Sequence, residues 1–141
     1  PFCDPAMTAQ AVTTPAAPAP VGPYNQAVLA NGWLYCSGQI PLDPETGAMV
    51  GDGDVAHETR QVLKNLSAVL EAAGATAAHV VRTTVFLTDL GDFQTVNGIY
   101  TEMFGAGTSP ARACVQVAAL PKGARVEIDC VAWLGDDLQT R

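Results

Sequence analysis

Residues 54–104 constrain the fold of this chain most. Asp54 is placed to cap a helix running to about Ala73, because Val62, Leu66, Val69, Leu70 and Ala73 recur at three- and four-residue steps and Gly74 supplies a stop. A second helix is predicted over 92–104. There Phe93, Val96, Ile99 or Tyr100, and Met103 lie along one stripe, with Asp89 or Gly91 marking the start and Gly105 the end. Each helix has one apolar face that must lie on something. Between them, 80–88 is rich in β-branched residues and apolar on both faces, the pattern of a central strand buried on both sides.

The flanks supply the remaining strands. A strand is predicted over 33–37, continuing towards Ile40. Asp43, Pro44, Glu45, Thr46 and Gly47 then form a turn before Met49 and Val50, as a hairpin or a wide loop. Near the other end, 111–118 and 125–134 both alternate, and the short link from Leu120 to Ala124 predicts that they pair as an antiparallel hairpin. The order β, β, α, β, α, β, β argues an α+β domain, a mixed sheet with both helices on one face. Since two helices shield only one side of strands that are apolar on both, the chain is expected to self-associate through the other.

Bulk properties narrow the function. A chain of 141 residues fits one domain. With 48% apolar and 15% charged residues it lacks the composition of disorder. Fourteen acidic against seven basic residues give a charge of −7, which argues against nucleic acid and anionic membranes as partners. No apolar run reaches the length of a membrane span, and the start lacks the basic-then-apolar order of a secretory signal, so a soluble, cytoplasmic protein is expected. The folded domain is expected over 18–135, after a flexible arm over 1–17 and before a tail over 136–141. Pro5, Pro15, Pro18 and Pro20 deny the arm and the stretch to residue 20 helix or central strand, and residues 1–6, before a plausible start at Met7, are an added or a natural extension. Cys3, Cys36, Cys114 and Cys130 form no CxxC pair and read as buried thiols. His57 and His79 lack the spacing of a metal site. The absence of GxGxxG, GxxxxGK[ST] and GxSxG leaves no sign of a dinucleotide, a nucleoside triphosphate or a serine nucleophile, so no metal and no cofactor is expected.

The chemistry concentrates in the last two strands. In the first, Ala111, Ala113, Val115 and Val117 share an apolar face, which puts Arg112, Cys114 and Gln116 on the other. In the second, Val126, Ile128, Cys130 and Ala132 form the apolar face, and Arg125, Glu127 and Asp129 point away from it. If the turn pairs Leu120 with Arg125, Glu127 sits opposite Ala118 and on the same face as Arg112. An arginine and a glutamate on one sheet face are often an ordinary ion pair. In this register, however, the two are six strand positions apart, roughly 20 Å, so one chain hardly closes a site around them and they are expected to meet across a subunit boundary.

Three segments together resemble one family from about residue 18 to residue 134. They are Gly22-Pro23-Tyr24-Asn25-Gln26-Ala27, Ser37-Gly38-Gln39-Ile40-Pro41, and the terminal run Ser109-Pro110-Ala111-Arg112-Ala113-Cys114-Val115 followed by Leu120-Pro121-Lys122-Gly123 and Val126-Glu127-Ile128. The chain is similar to the RidA (YjgF) family. That resemblance implies a chorismate mutase-like fold and a homotrimer whose sheets form an inner barrel, with a cleft at each subunit boundary. It also implies cofactor-independent hydrolysis of 2-iminopropanoate and 2-iminobutanoate to 2-oxo acids and ammonia. Arg112 would grip the substrate carboxylate and Glu127 would act as general base or water positioner. Main-chain groups at Cys114 would orient the imine or water. Tyr24, Ser37 and Gly38 would line the cleft, and Asn97 would contact substrate from a neighbouring chain. Read without the family, Tyr24 is a packed aromatic, Asn97 a solvent-facing residue, Ser37 and Gly38 a turn or bulge, and Cys114 a small strand residue. The chain departs from the commonest family pattern at Asn25, Gln116 and Ala119, where serine, glutamate and a basic residue are usual. Two rival functions remain: a non-catalytic module binding 2-oxo acids in the same cleft, and an endoribonuclease or translation inhibitor, which the acidic charge disfavours.

Overall fold

A computed structural model describes residues 8–135, and the expectations for residues 1–7, Cys3 among them, and for the tail over 136–141 lie outside that range. Two helices, α1 (Val55–Ala72) and α2 (Phe93–Phe104), pack on a sheet of β1 (Gln10–Val12), β2 (Ala27–Ala30), β3 (Trp33–Gln39), β4 (Val80–Leu87), β5 (Ala111–Gln116) and β6 (Val126–Trp133). The strand order is β1-β2-β3-β6-β4-β5. Neighbours are antiparallel except β4 and β5, which are parallel.

Both helices follow the expected logic. Asp54 caps α1 by accepting the Ala56 N–H, and Gly74 ends it with φ +80°. The stripe of Val62, Leu66, Val69 and Leu70 is almost fully buried and meets Leu34, Val85, Leu87, Val126, Ile128, Cys130 and Ala132 from the sheet. In α2 the buried residues are Val96, Ile99, Tyr100 and Phe104. Asp89 caps the short turn Leu90–Asp92 that leads into it.

Three expectations need correction. The alanine- and proline-rich stretch expected to be a flexible arm is ordered over 8–17. Gln10–Val12 pairs with β2, Ala17 is buried, and the buried Gln26 side chain donates to the carbonyls of Thr14, Ala17 and Pro18 while accepting the Thr14 N–H. One amide side chain thus satisfies backbone groups that the prolines leave without a ladder. Second, β5 and β6 are not a hairpin, because β4 lies between them. The β4–α2–β5 unit is a crossover that sets β5 parallel to β4 on one flank, so the chain must pass the end of β4 to reach the other. It does so through the turn Pro121–Gly123, tied down where Val117 N–H donates to Leu87 O and Thr88 N–H to Arg125 O. Third, β4 is not buried on both sides in the single chain: Thr83, Val85 and Leu87 face the helices, whereas Val81 on the other face is 42% exposed.

β1 and β2 escaped the sequence reading, whereas β3 covers the strand predicted over 33–37. β2 and β3 form a hairpin around Asn31 and Gly32, which both have positive φ, +53° and +81°, as a two-residue turn matched to the sheet twist requires. The turn-rich stretch over 43–47 is a wide loop closed by a single bridge between Leu42 and Met49.

The face of the sheet away from the helices carries Trp33, Tyr35, Val115 and Trp133, each 39% to 53% exposed. The two tryptophan rings lie 6.2 Å apart. No helix of the described residues is long and apolar enough to cross a membrane. Cys36 and Cys130 are cross-strand partners buried under the helices, and Cys114 is half-buried; all three are free thiols.

Candidate active site

The interposed β4 changes where the two proposed catalytic residues point. Arg112 pairs with Thr83, which pairs with Cys130, so all three face the helices; Glu127 pairs with Phe86 on the opposite face. The expectation that Arg112 and Glu127 share one surface is therefore wrong for a single chain. It assumed a β5–β6 register that does not exist.

Glu127 lies at one end of the sheet, in a cavity of about 260 Å³ walled by Pro18, Val21, Tyr24, Ile40, Leu42 and Pro121, with Ser37, Gly38 and Lys122 also at its surface. Its fit against β3 is close. A methyl group on Gly38 would run into the Glu127 carboxylate, which explains a glycine where the β3–β6 register slips between Cys36 and Gln39. Ser37 donates its hydroxyl to Asn25 O at 2.6 Å, tying β3 to the segment before β2. Burial, and secondly the negative charge of Asp129, raise the Glu127 pKa, so this carboxylate holds a proton more tightly than an ordinary one. Asp129 is raised too, chiefly by burial, against the pull of hydrogen bonds from Thr84 and the charge of Arg82.

Two further contacts steady this wall. Asn65, fully buried in α1, donates to Leu42 O at 2.9 Å and Ile40 O at 3.4 Å. Glu58, also in α1, is buried and accepts from the Arg125 N–H at 2.8 Å and from Arg125 Nη1 at 3.1 Å, clamping the residue two before Glu127. Gln26, Asn65 and Glu58 were not singled out from the sequence. A buried polar residue inside an amphipathic pattern was the available signal for Asn65 and Glu58.

Arg112 lines a second, shallower cavity of about 510 Å³ with Asn97, Tyr100, Thr101, Phe104 and Ser109. Its Nη1 donates to Asn97 Oδ1 at 2.8 Å. Among the described residues the ion pairs are Arg60–Glu102 and Arg125–Glu58, so Arg112 has no carboxylate partner there and most of its donors stay open. Asn97, expected to reach substrate from a neighbouring chain, sits beside the Arg112 of its own chain. Cys114 shares the helix-facing side of β5 with Arg112 and packs against the core. Burial pushes its thiol pKa up more than the Arg112 charge lowers it, which leaves little nucleophilic thiolate. The structure thus gathers Tyr24, Ser37, Gly38 and Glu127 in one place and Asn97 and Arg112 in another. Among the described residues no cluster of His, Cys, Asp or Glu is disposed to hold a metal ion.

The family model described as endoribonuclease L-PSP matches residues 14–134. The chain belongs to this family, the RidA (YjgF) proteins. Among its relatives, a RutC family protein of Synechocystis is 56% identical over 128 residues, 91% of this chain and 98% of the relative. The human 2-iminobutanoate/2-iminopropanoate deaminase is 52% identical over 124 residues, 88% of this chain and 89% of the enzyme. Among solved structures, Escherichia coli TdcF with bound serine superposes with a TM-score of 0.83 at 40% identity, covering 88% of this chain and 98% of TdcF. The two helices on a mixed six-stranded sheet are the fold of this family.

Proposed function

We propose that this protein hydrolyses small 2-imino acids, 2-iminopropanoate and 2-iminobutanoate among them, to 2-oxo acids and ammonia without a cofactor. The observation that carries this reading is a guanidinium with open donors and a proton-binding carboxylate, in a chain half identical to a human deaminase of these substrates. Arg112 takes the substrate carboxylate with its planar fork of donors. Glu127 accepts a proton from water as the water oxygen bonds to the imine carbon and passes that proton to the nitrogen, giving a carbinolamine. It then takes the hydroxyl proton and delivers it to the amino nitrogen as the carbon–nitrogen bond breaks, so that ammonia leaves, the ketone remains and Glu127 is ionised again. Tyr24, Ser37 and Gly38 shape the wall on the Glu127 side, Asn97 steadies Arg112, and main-chain groups at Cys114 orient the imine or water.

Because Arg112 and Glu127 face opposite sides of one sheet, the reading has the cleft close between copies, Arg112 from one and Glu127 from the next, in a homotrimer whose exposed Trp33, Tyr35, Val115 and Trp133 are covered at the centre. The test is complementation. Imines are generated in situ by an amino-acid oxidase, and their decay is followed with Arg112→Ala, with Glu127→Gln, and with the two variants refolded together. Each alone is expected to be inactive, and the mixture to recover about a quarter of the wild-type sites, the share in which chance assembly reunites both groups. A mixture as dead as its components refutes the shared cleft. A wild type that binds 2-oxo acids but leaves imine decay at the buffer rate makes this a binding module. RNA cleavage that survives stringent purification and depends on Glu127 points instead to a ribonuclease.

A further inference from the structure

Arg112 is exposed on a strand near the sheet edge, yet its side chain is held in place by a single row of α2 residues. Its guanidinium carbon lies 4.8 Å from the centre of the Tyr100 ring and 5.6 Å from that of Phe93, and Asn97 accepts its Nη1 hydrogen at 2.8 Å. Positions 93, 97 and 100 are spaced four and three apart, so they stand one above another on α2. The Tyr100 ring is itself fixed. It is 6% exposed, lies 4.7 Å from the Phe104 ring, and its hydroxyl is 2.7 Å from that of Thr83, which is fully buried on the helix-facing side of β4. That hydroxyl is occupied inside the core, so Tyr100 offers the cavity a ring and not an acid.

We propose that Phe93 and Tyr100 form an aromatic cradle that pre-orients the Arg112 guanidinium, which makes Tyr100 a positioning residue for carboxylate-bearing ligands. The proposal rests on the reading that Arg112 binds the substrate carboxylate. Two physical effects support it. An unrestrained arginine loses its rotamer freedom when it binds, and a side chain already held against rings and tied to Asn97 has lost most of it beforehand. A guanidinium held at the ring faces also keeps its N–H edges free, the direction from which a carboxylate accepts two parallel hydrogen bonds. A lysine at 112 would keep the charge and lose both advantages.

The experiment compares Tyr100→Phe, Tyr100→Leu and Phe93→Leu in the full-length protein, with two readouts: 2-oxobutanoate binding by calorimetry and imine turnover. Tyr100→Phe keeps the ring and is expected to hold both Kd and KM within about threefold, although its melting temperature falls because the buried Thr83 hydroxyl loses its partner. Tyr100→Leu is expected to raise Kd and KM about tenfold with kcat nearly unchanged, and Phe93→Leu to raise them by less, since its ring is farther from the cation. In an Arg112→Lys background, which keeps a cation without the planar fork, Tyr100→Leu should change Kd by less than about threefold, whereas a merely structural tyrosine would cost as much there as in wild type. The cradle is overturned if Tyr100→Leu binds as wild type does, if Tyr100→Phe is impaired equally, if the leucine effect persists in full in the Arg112→Lys background, or if wild type does not bind 2-oxobutanoate. Wild type that binds the oxo acid in this ring-dependent way but does not turn over imines would sink the deaminase reading and leave the cradle standing.

Discussion

Replacing Gly38 with alanine tests the Glu127 geometry with one methyl group. The backbone accepts the change, since Gly38 is not among the positive-φ glycines. The obstacle is the neighbour: an ideal Cβ there sits 2.9 Å from Glu127 Cδ and 3.1 Å from Cγ, and closer still to a carboxylate oxygen. Relaxing these contacts to ordinary carbon–carbon separation moves Cδ by about half an ångström, and the oxygens beyond it by about 1 Å. A misplacement of that size costs about 100-fold in rate when the displaced group must meet a reacting atom. The strain itself is modest, about 1 kcal/mol, because the cavity leaves Glu127 room to swing. For a domain of this size that lowers the melting temperature by about 3 °C. The assay is kcat/KM for in situ generated 2-iminobutanoate, with thermal melts on the same samples. Gly38→Ala should lose most activity while staying folded, and the double variant Gly38→Ala/Glu127→Gln should be no worse than Glu127→Gln alone. Activity within about threefold of wild type, or a loss that adds fully to that of Glu127→Gln, refutes the claim that Gly38 acts by making room for the carboxylate.

Glu127 must be ionised to take a proton and its pKa lies above the ordinary 4.5, first through burial and then through Asp129, so the acid limb of kcat/KM should sit above that of an ordinary carboxylate. Asp129→Asn should move the limb to lower pH, and a limb unmoved by that change rules out the coupling. The folded chain binds this proton more tightly than the unfolded chain, so the Glu127 contribution to stability grows as pH falls through the interval between the two pKa values. Glu127→Gln should therefore melt no lower than wild type at neutral pH; a clear drop contradicts the sign. Glu58→Gln breaks an ion pair whose carboxylate side chain is 2% exposed and whose guanidinium side chain is 44% exposed, and should cost about 2 kcal/mol in urea unfolding, between surface and buried pairs. An unchanged urea midpoint removes the clamp from the argument. Val115→Glu puts a charge on the face without helices and should reduce the mass seen by light scattering to that of a monomer with intact helical circular dichroism, whereas an unchanged oligomer places the contact elsewhere.

What the sequence disclosed and what it hid divide along the range of the interactions. The helices were legible because their evidence is local: a cap at Asp54, a stripe from Val62 to Leu70, a stop at Gly74. The Asn31-Gly32 turn was equally local and could have announced the β2–β3 hairpin, but the four-residue β2 is too short to show an alternation. Strand neighbours are a different matter. Alternation in 111–118 and 125–134 says which residues share a face within a strand, and nothing about which strand lies alongside; two such runs joined by a short link look like a hairpin until a third strand competes for the same edge. Here β4 wins, because each of its flanks satisfies a full ladder, parallel to β5 and antiparallel to β6. That one insertion turns Arg112 and Glu127 to opposite faces. No hairpin forms along which a distance could separate the two groups; they stand on the two faces of one sheet, which no side-chain rotation brings together. A cleft that uses both therefore needs a second copy of the chain, and a single complementation experiment is enough to break that proposal.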